Sequence, residues 1–169
     1  GWNGETAWIR LSGEVVQHAE SVVLPLLLPD SPVAIWWPSD PPLDPAGDPL
    51  GRLAQRRITD AAAATRGKGR AIHGQCSSYA AGNTDLAWTR ITPWRALRAA
   101  ALDRLALRVT GGSVTAERIS PSAELLVAWL SDRLKVPFDQ KSSKGPGITE
   151  VRLETKEGPI MISRRDGRL

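Results

Sequence analysis

Nucleophilic hydrolysis needs a thiol or hydroxyl with a base in reach, and the side chains that could supply this are Cys76, His73 and His18. His73 precedes Cys76 by three residues in a glycine- and serine-rich stretch, which does not predict a held Cys/His pair; His18 falls on the polar side of the first amphipathic segment. The run Arg66-Gly67-Lys68-Gly69-Arg70 sets glycines, whose amides can approach an anion, among cations, so Arg66, Lys68 and Arg70 are candidate anion-binding residues. The run lacks the glycine spacing and Lys-Ser/Thr ending of a Walker loop and does not join strand to helix, so it reads as an exposed basic loop. Among the carboxylates, Asp30, Asp40, Asp44, Asp48, Asp85 and Glu124 suit turns and caps. Asp60 closes an expected buried strand and needs a cation; the expectation is a structural ion pair of Asp60 with Arg56, or with Arg90, rather than a catalytic acid. No catalytic residue, metal site or cofactor is predicted, which argues against an enzyme.

The densest signal lies between Asp85 and Arg95, where Asp-Leu-Ala-Trp-Thr-Arg-Ile-Thr-Pro-Trp-Arg brings together two tryptophans and two arginines. Thr92 and Pro93 read as the cap and first position of a helix. Trp94, Leu97, Ala101 and Leu105 then recur at helical spacing, which turns Trp94 inward and Arg95 and Arg98 elsewhere. Trp88 and Arg90 are expected on the loop before the cap, ordered and still accessible. Indole and guanidinium groups are the side chains that most often anchor protein interfaces. The candidate partner-binding set is therefore Trp88, Arg90, Trp94 and Arg95, joined by Trp36 and Trp37.

The 169 residues suit one domain able to bury a core. Hydrophobic residues at 41% and charged residues at 24% are near the average of soluble proteins, whereas seven tryptophans stand against one tyrosine and one phenylalanine. A net charge of +4 is too small for a nucleic-acid footprint, and the basic run lacks the interleaved aromatics of a single-strand binder. A single cysteine forms no internal disulfide, so a cytoplasmic setting is expected. The apolar stretch from Leu24 to Leu28 holds Pro25 and falls far short of the roughly 20 residues a bilayer span needs.

Those side chains need a frame. Ala7 to Leu11 reads as a strand entered almost at once from Gly1, which suggests a piece of a longer protein. Val15, Ala19, Val22, Val23, Leu26 and Leu27 form the stripe of an amphipathic helix that Pro25 should kink or end. Val33 to Trp37 reads as a strand buried on both faces, with Trp36 and Trp37 pointing opposite ways. A proline- and aspartate-rich loop from Pro38 to Pro49 follows, at a strand carboxyl end where partners gather. A short helix from Asp48, a strand over Arg57 to Asp60, and a long mobile loop from Thr65 to Asn83 come next. After the helix from Pro93 to about Asp103, a strand from Leu105 to Val109 should close at Gly111-Gly112. Ser120-Pro121 opens a helix whose apolar face is Leu125, Leu126, Trp129, Leu130 and Leu134. Val136 to Phe138 begins a strand, and Ile148 to Leu153 with Ile160 to Ser163 read as a hairpin about Lys156-Glu157-Gly158. The predicted fold is α/β, a mixed, mostly parallel sheet covered by helices, with residues 1–140 as the core region and 141–169 as a carboxyl-terminal antiparallel hairpin on the same domain.

With these residues in view, the chain resembles the glucose-6-phosphate dehydrogenase assembly protein family, OpcA. The motifs are Leu26-Leu27-Leu28-Pro29-Asp30, Ala34-Ile35-Trp36-Trp37-Pro38, Asp48-Pro49-Leu50, Arg57-Ile58-Thr59-Asp60, the segment from Asp85 to Arg95, and Ala128-Trp129-Leu130-Ser131-Asp132-Arg133-Leu134. Family members look longer at both ends, so the likeness is to a central and carboxyl-side portion. The resemblance implies a cytoplasmic, non-catalytic assembly factor or allosteric activator whose partner is glucose-6-phosphate dehydrogenase, with no nucleic acid or membrane involved. Some members are linked to thiol control, for which a solitary Cys76 offers no internal disulfide. The alternative is an enzyme or sensor that binds a sugar phosphate or nucleotide through the basic residues 66–70.

Overall fold

The computed structural model describes residues 5–96 and 108–164. Two sheets share the strands. A parallel sheet of order β1-β2-β3 is built from β1 (Ala34–Trp36), β2 (Arg56–Thr59) and β3 (Asn83–Asp85). A mixed sheet of order β5-β4-β6-β7 is built from β4 (Val109–Glu117), β5 (Phe138–Ser143), β6 (Ile148–Thr155) and β7 (Ile160–Ser163). In it β4 runs parallel to β5 and antiparallel to β6, and the expected hairpin is the β6–β7 pair, with Val151 opposite Ile162. The α/β class with an antiparallel carboxyl-terminal hairpin is thus present, with its strands divided between two sheets where a single one was expected.

The helices are α1 (Ala19–Val23), α2 (Lys68–Ser77), α3 (Leu86–Arg90) and α4 (Pro121–Leu134), and residues 92–96 are also helical. Helix α4 starts as its sequence requires: Ser120 is extended and its hydroxyl accepts from the Ala123 amide, Pro121 follows, and Lys135 ends the helix in the left-handed region at φ 55°. It crosses over between parallel β4 and β5 and packs on both. Ile91, Trp94, Val114, Leu126, Leu130, Phe138 and Leu153 form the heart of the main core between α4 and the mixed sheet. A smaller core of Ala61, Ile72 and Ala87 lies under the parallel sheet's connections, and Leu125 of α4 packs against both clusters. Helix α4 therefore ties the two sheets together, with α2 and α3 on it.

Several expectations are corrected. Residues 7–11 are not a strand. The first amphipathic stripe is a 3-10 turn (Gly13–His18), the five-residue α1 and a second 3-10 turn (Leu24–Leu26), none of which buries a residue. The α-helical part stops at Val23, ahead of Pro25, where the missing amide was expected to end it. Strand β1 has only three residues and is not covered on both faces: Trp36 is 58% exposed and Trp37 is half-buried. The stretch from Thr65 to Asn83 contains ten-residue α2, which follows Gly67, at φ 62°, and buries only Ile72. Gly111-Gly112 does not close a strand but lies inside β4, because a Cβ on Gly112 would come within 2.3 Å of the Arg152 carbonyl and 2.4 Å of the Phe138 ring. The continuation of the Trp94 helix through Leu97, Arg98 and Ala101, and the strand residues from Leu105 to Leu107, lie outside the described residues.

Candidate functional site

The carboxyl ends of β2 and β3 carry two aspartates that organise the connections leaving both strands. Asp85 is the last residue of β3 and the cap of α3, in extended conformation, with Oδ1 accepting from the Ala87 amide at 2.8 Å. Its Oδ2 accepts from the Thr59 hydroxyl at 2.7 Å and the Ala61 amide at 2.9 Å. One buried carboxylate thereby joins the ends of both strands to the start of the helix, so the helix begins at Leu86 rather than after Thr92. Trp88 and Arg90 accordingly stand on α3 and not on a loop. Thr92 is itself helical; its hydroxyl donates to the Trp88 carbonyl at 3.4 Å and accepts from Arg95 Nη2 at 2.9 Å.

Asp60, one residue beyond β2, takes Arg90 and not Arg56 as its partner. The contact is two-pronged, Nη1 to Oδ1 and Nη2 to Oδ2, each at 2.6 Å. Arg56 lies exposed on β2, whereas α3 starts beside Asp60 and carries Arg90 back over it. The hydrogen bond from Arg90 outweighs burial and holds the Asp60 carboxyl below its ordinary value; the same bond raises Arg90. The Asp60 side chain is 9% exposed and the Arg90 side chain 43%, so Arg90 keeps an open side. An aspartate held in this way anchors α3.

Beyond that anchor, the Arg95 guanidinium carbon lies 3.8 Å from the centre of the Trp88 ring and 5.8 Å from that of Trp129. Arg95 Nε is buried without a hydrogen-bond partner among the described residues, as suits a group held chiefly through an indole face. Trp88 remains 38% exposed, while Trp94 is 4% exposed and belongs to the core, so it supports the surface from below. Trp129 did not stand out in the sequence as a surface residue; its place one helical turn beyond Leu125 on α4 reads equally well as core. Trp36 presents an open indole on the outer strand of the parallel sheet, whereas Trp37 packs near Gly51.

The basic run is only partly a loop, since Lys68 and Arg70 lie in the first turn of α2. Asp40 already occupies the amides ahead of that helix: it accepts from the Thr65 amide at 2.7 Å, the Arg66 amide at 3.1 Å and the Thr65 hydroxyl. Those bonds, the Thr65 hydroxyl foremost, hold the Asp40 carboxyl below its ordinary value. An internal carboxylate thus sits where an external anion would bind. Lys68 lines a separate hollow of about 240 Å³ with Arg118, Ser120 and Glu124, where a carboxylate again accompanies the cations.

No hydrogen bond joins His73 to Cys76 among the described residues, and desolvation, then Glu124 and Asp85, push the Cys76 thiol up, away from the reactive thiolate. Among the described residues no group of His, Cys, Asp and Glu is arranged to hold a metal. No described helix is long and apolar enough to cross a membrane. A cleft of about 280 Å³ opens between α2, β3 and α3, with Ile72, Leu125 and Thr59 on its walls and Tyr79, Cys76 and Trp88 beside them.

Two family models match the chain. The one describing the N-terminal domain of the glucose-6-phosphate dehydrogenase subunit matches residues 1–73, and the one describing the C-terminal domain of that same protein matches residues 81–169. No curated protein and no solved structure matches.

Proposed function

Since the chain belongs to the OpcA family of glucose-6-phosphate dehydrogenase subunits, we propose that it is a non-catalytic, cytoplasmic assembly factor or allosteric activator that docks on glucose-6-phosphate dehydrogenase. The docking face centres on Trp88, Arg90 and Arg95, with Trp36, Trp37 and the loop 38–49 as further candidate contacts. The observation that carries this reading is the Arg95 guanidinium laid over half-exposed Trp88, on a helix that Asp60 clamps through Arg90. Aromatic and arginine side chains held in one geometry before binding lose little freedom on contact, and they are the usual anchors of an interface. Trp94 contributes by filling the core beneath them. The carboxylates that neighbour the basic segment favour this reading over one built on sugar-phosphate or nucleotide binding at Arg66, Lys68 and Arg70.

An activator works by binding the active or assembled state of its partner more tightly than the other state, and a coupling of about 1–3 kcal/mol is typical. The test is co-purification of the chain with the cognate dehydrogenase, together with the dehydrogenase rate in its presence and absence. Saturable binding with a changed rate is expected. Lack of binding, or turnover of a substrate by the chain alone, overturns the proposal.

A further inference from the structure

Trp88 belongs to two features at once: its ring carries Arg95, and it also lines the cleft of about 280 Å³ between α2 and α3. Tyr79, 70% exposed, stands on the same cleft, and Ile72 and Leu125 supply apolar wall. A surface that covers Trp88 also covers this opening. If it left the space empty, the lining would lose the contacts that close packing provides, so a well-matched surface fills it.

The charge of the lining restricts what can enter. Among the described residues no lysine or arginine lines the cleft, while Asp85 does, and Asp85 and Glu124 both act on the Cys76 thiol to raise it. The interior therefore disfavours carboxylates and phosphates. The Asp85 oxygens already hold three donors, and the unpaired polar group among the described residues of the lining is Asn83 Nδ2, a donor that a neutral acceptor or an aromatic face can meet. Resting on the docking reading, we propose that the cleft receives an uncharged apolar or aromatic side chain of the dehydrogenase, the buried anchor of an interface whose rim is Trp88, Arg90 and Arg95. Anchors of this kind sit in fully desolvated pockets encircled by contacts that exclude water.

Cys76, exposed at the cleft, is the handle for the test. Benzyl methanethiosulfonate converts it to a benzyl mixed disulfide that occupies the cleft and that dithiothreitol removes. The loaded protein should bind the cognate dehydrogenase at least tenfold more weakly, with binding restored by dithiothreitol and an unchanged circular dichroism spectrum. Conversely, bound dehydrogenase should slow the labelling. Equal binding by loaded and unloaded protein overturns the anchor while leaving the docking face standing. If the unloaded chain does not bind at all, both fall. Slowed labelling by glucose 6-phosphate alone overturns the anchor in favour of a small-anion site.

Discussion

Arg90 reaches back thirty residues to grip both oxygens of Asp60, which fixes the end of α3 to the end of β2. Trp88 lies two residues earlier on the same five-residue helix, which is too short to hold its shape by backbone hydrogen bonding alone. Its orientation depends on clamps at both ends: Asp85 at the start, through the Ala87 amide, and Asp60 at the finish. The proposed docking face is thus positioned by two carboxylates, one at each end of α3.

Substituting Asp60→Asn removes the charge and one prong of the contact. The expected loss is about 1–3 kcal/mol, below the 3–5 kcal/mol of a fully buried broken pair, because Arg90 remains partly in water. The folded carboxyl lies below its unfolded value of 3.8, so its stabilisation is complete above that pH and disappears as the pH falls through the lower folded value. Urea titrations at pH 7, 5 and 3 should show wild type and variant converging only at the acid end.

Asp85→Ala should be costlier than loss of a helix cap alone. Besides the Ala87 amide it strands the buried Ala61 amide and leaves the buried Thr59 hydroxyl only its longer bond to the Thr84 carbonyl at 3.3 Å, and the total is about 2–4 kcal/mol. Asp85→Asn keeps an acceptor and should lose less. Chemical denaturation of the two variants side by side gives the order.

Gly112→Ala should strike the other sheet. The added methyl meets a backbone carbonyl that cannot swing aside, so β4 must part from β6, and it must also push the Phe138 ring outward. A loss of about 1–3 kcal/mol or more is expected, read as a lower urea midpoint with an unchanged slope.

Sequence pattern located the elements whose signals are local and redundant. Helix α4 has its serine cap, its proline and an apolar face, and the β6–β7 pair alternates about a glycine turn. Pattern failed where tertiary contact decides. Helix α2 carries Gly69 and Gly74 and buries one residue, so it has almost no periodicity to detect. The glycine pair of β4 resembles a strand end until Phe138 is seen against it. In the candidate site, the aromatic and arginine content was legible, but the division of labour was not. Trp88 and Trp94 differ in sequence only by their register on neighbouring helical turns, yet one is open and the other closed.

That division separates a docking role from a packing role by experiment. Trp94→Ala removes a fully packed indole from the main core and should destabilise the protein by about 3–5 kcal/mol. Trp88→Ala removes a ring that is 38% exposed, so the fold should lose the cation–π contact with Arg95, about 0.5–2 kcal/mol, and part of the ring's burial, less in all than Trp94→Ala costs. If the face around Trp88 binds the dehydrogenase, the order reverses in the binding assay at a temperature where both variants are folded. Trp88→Ala should then weaken association at least tenfold, and Trp94→Ala should bind nearly as the parent does. Arg95→Ala completes the set: added to Trp88→Ala it should cost little further affinity, because the two side chains act as one surface. Undiminished binding by Trp88→Ala, with its circular dichroism unchanged, would remove this face from the interface while leaving family membership untouched.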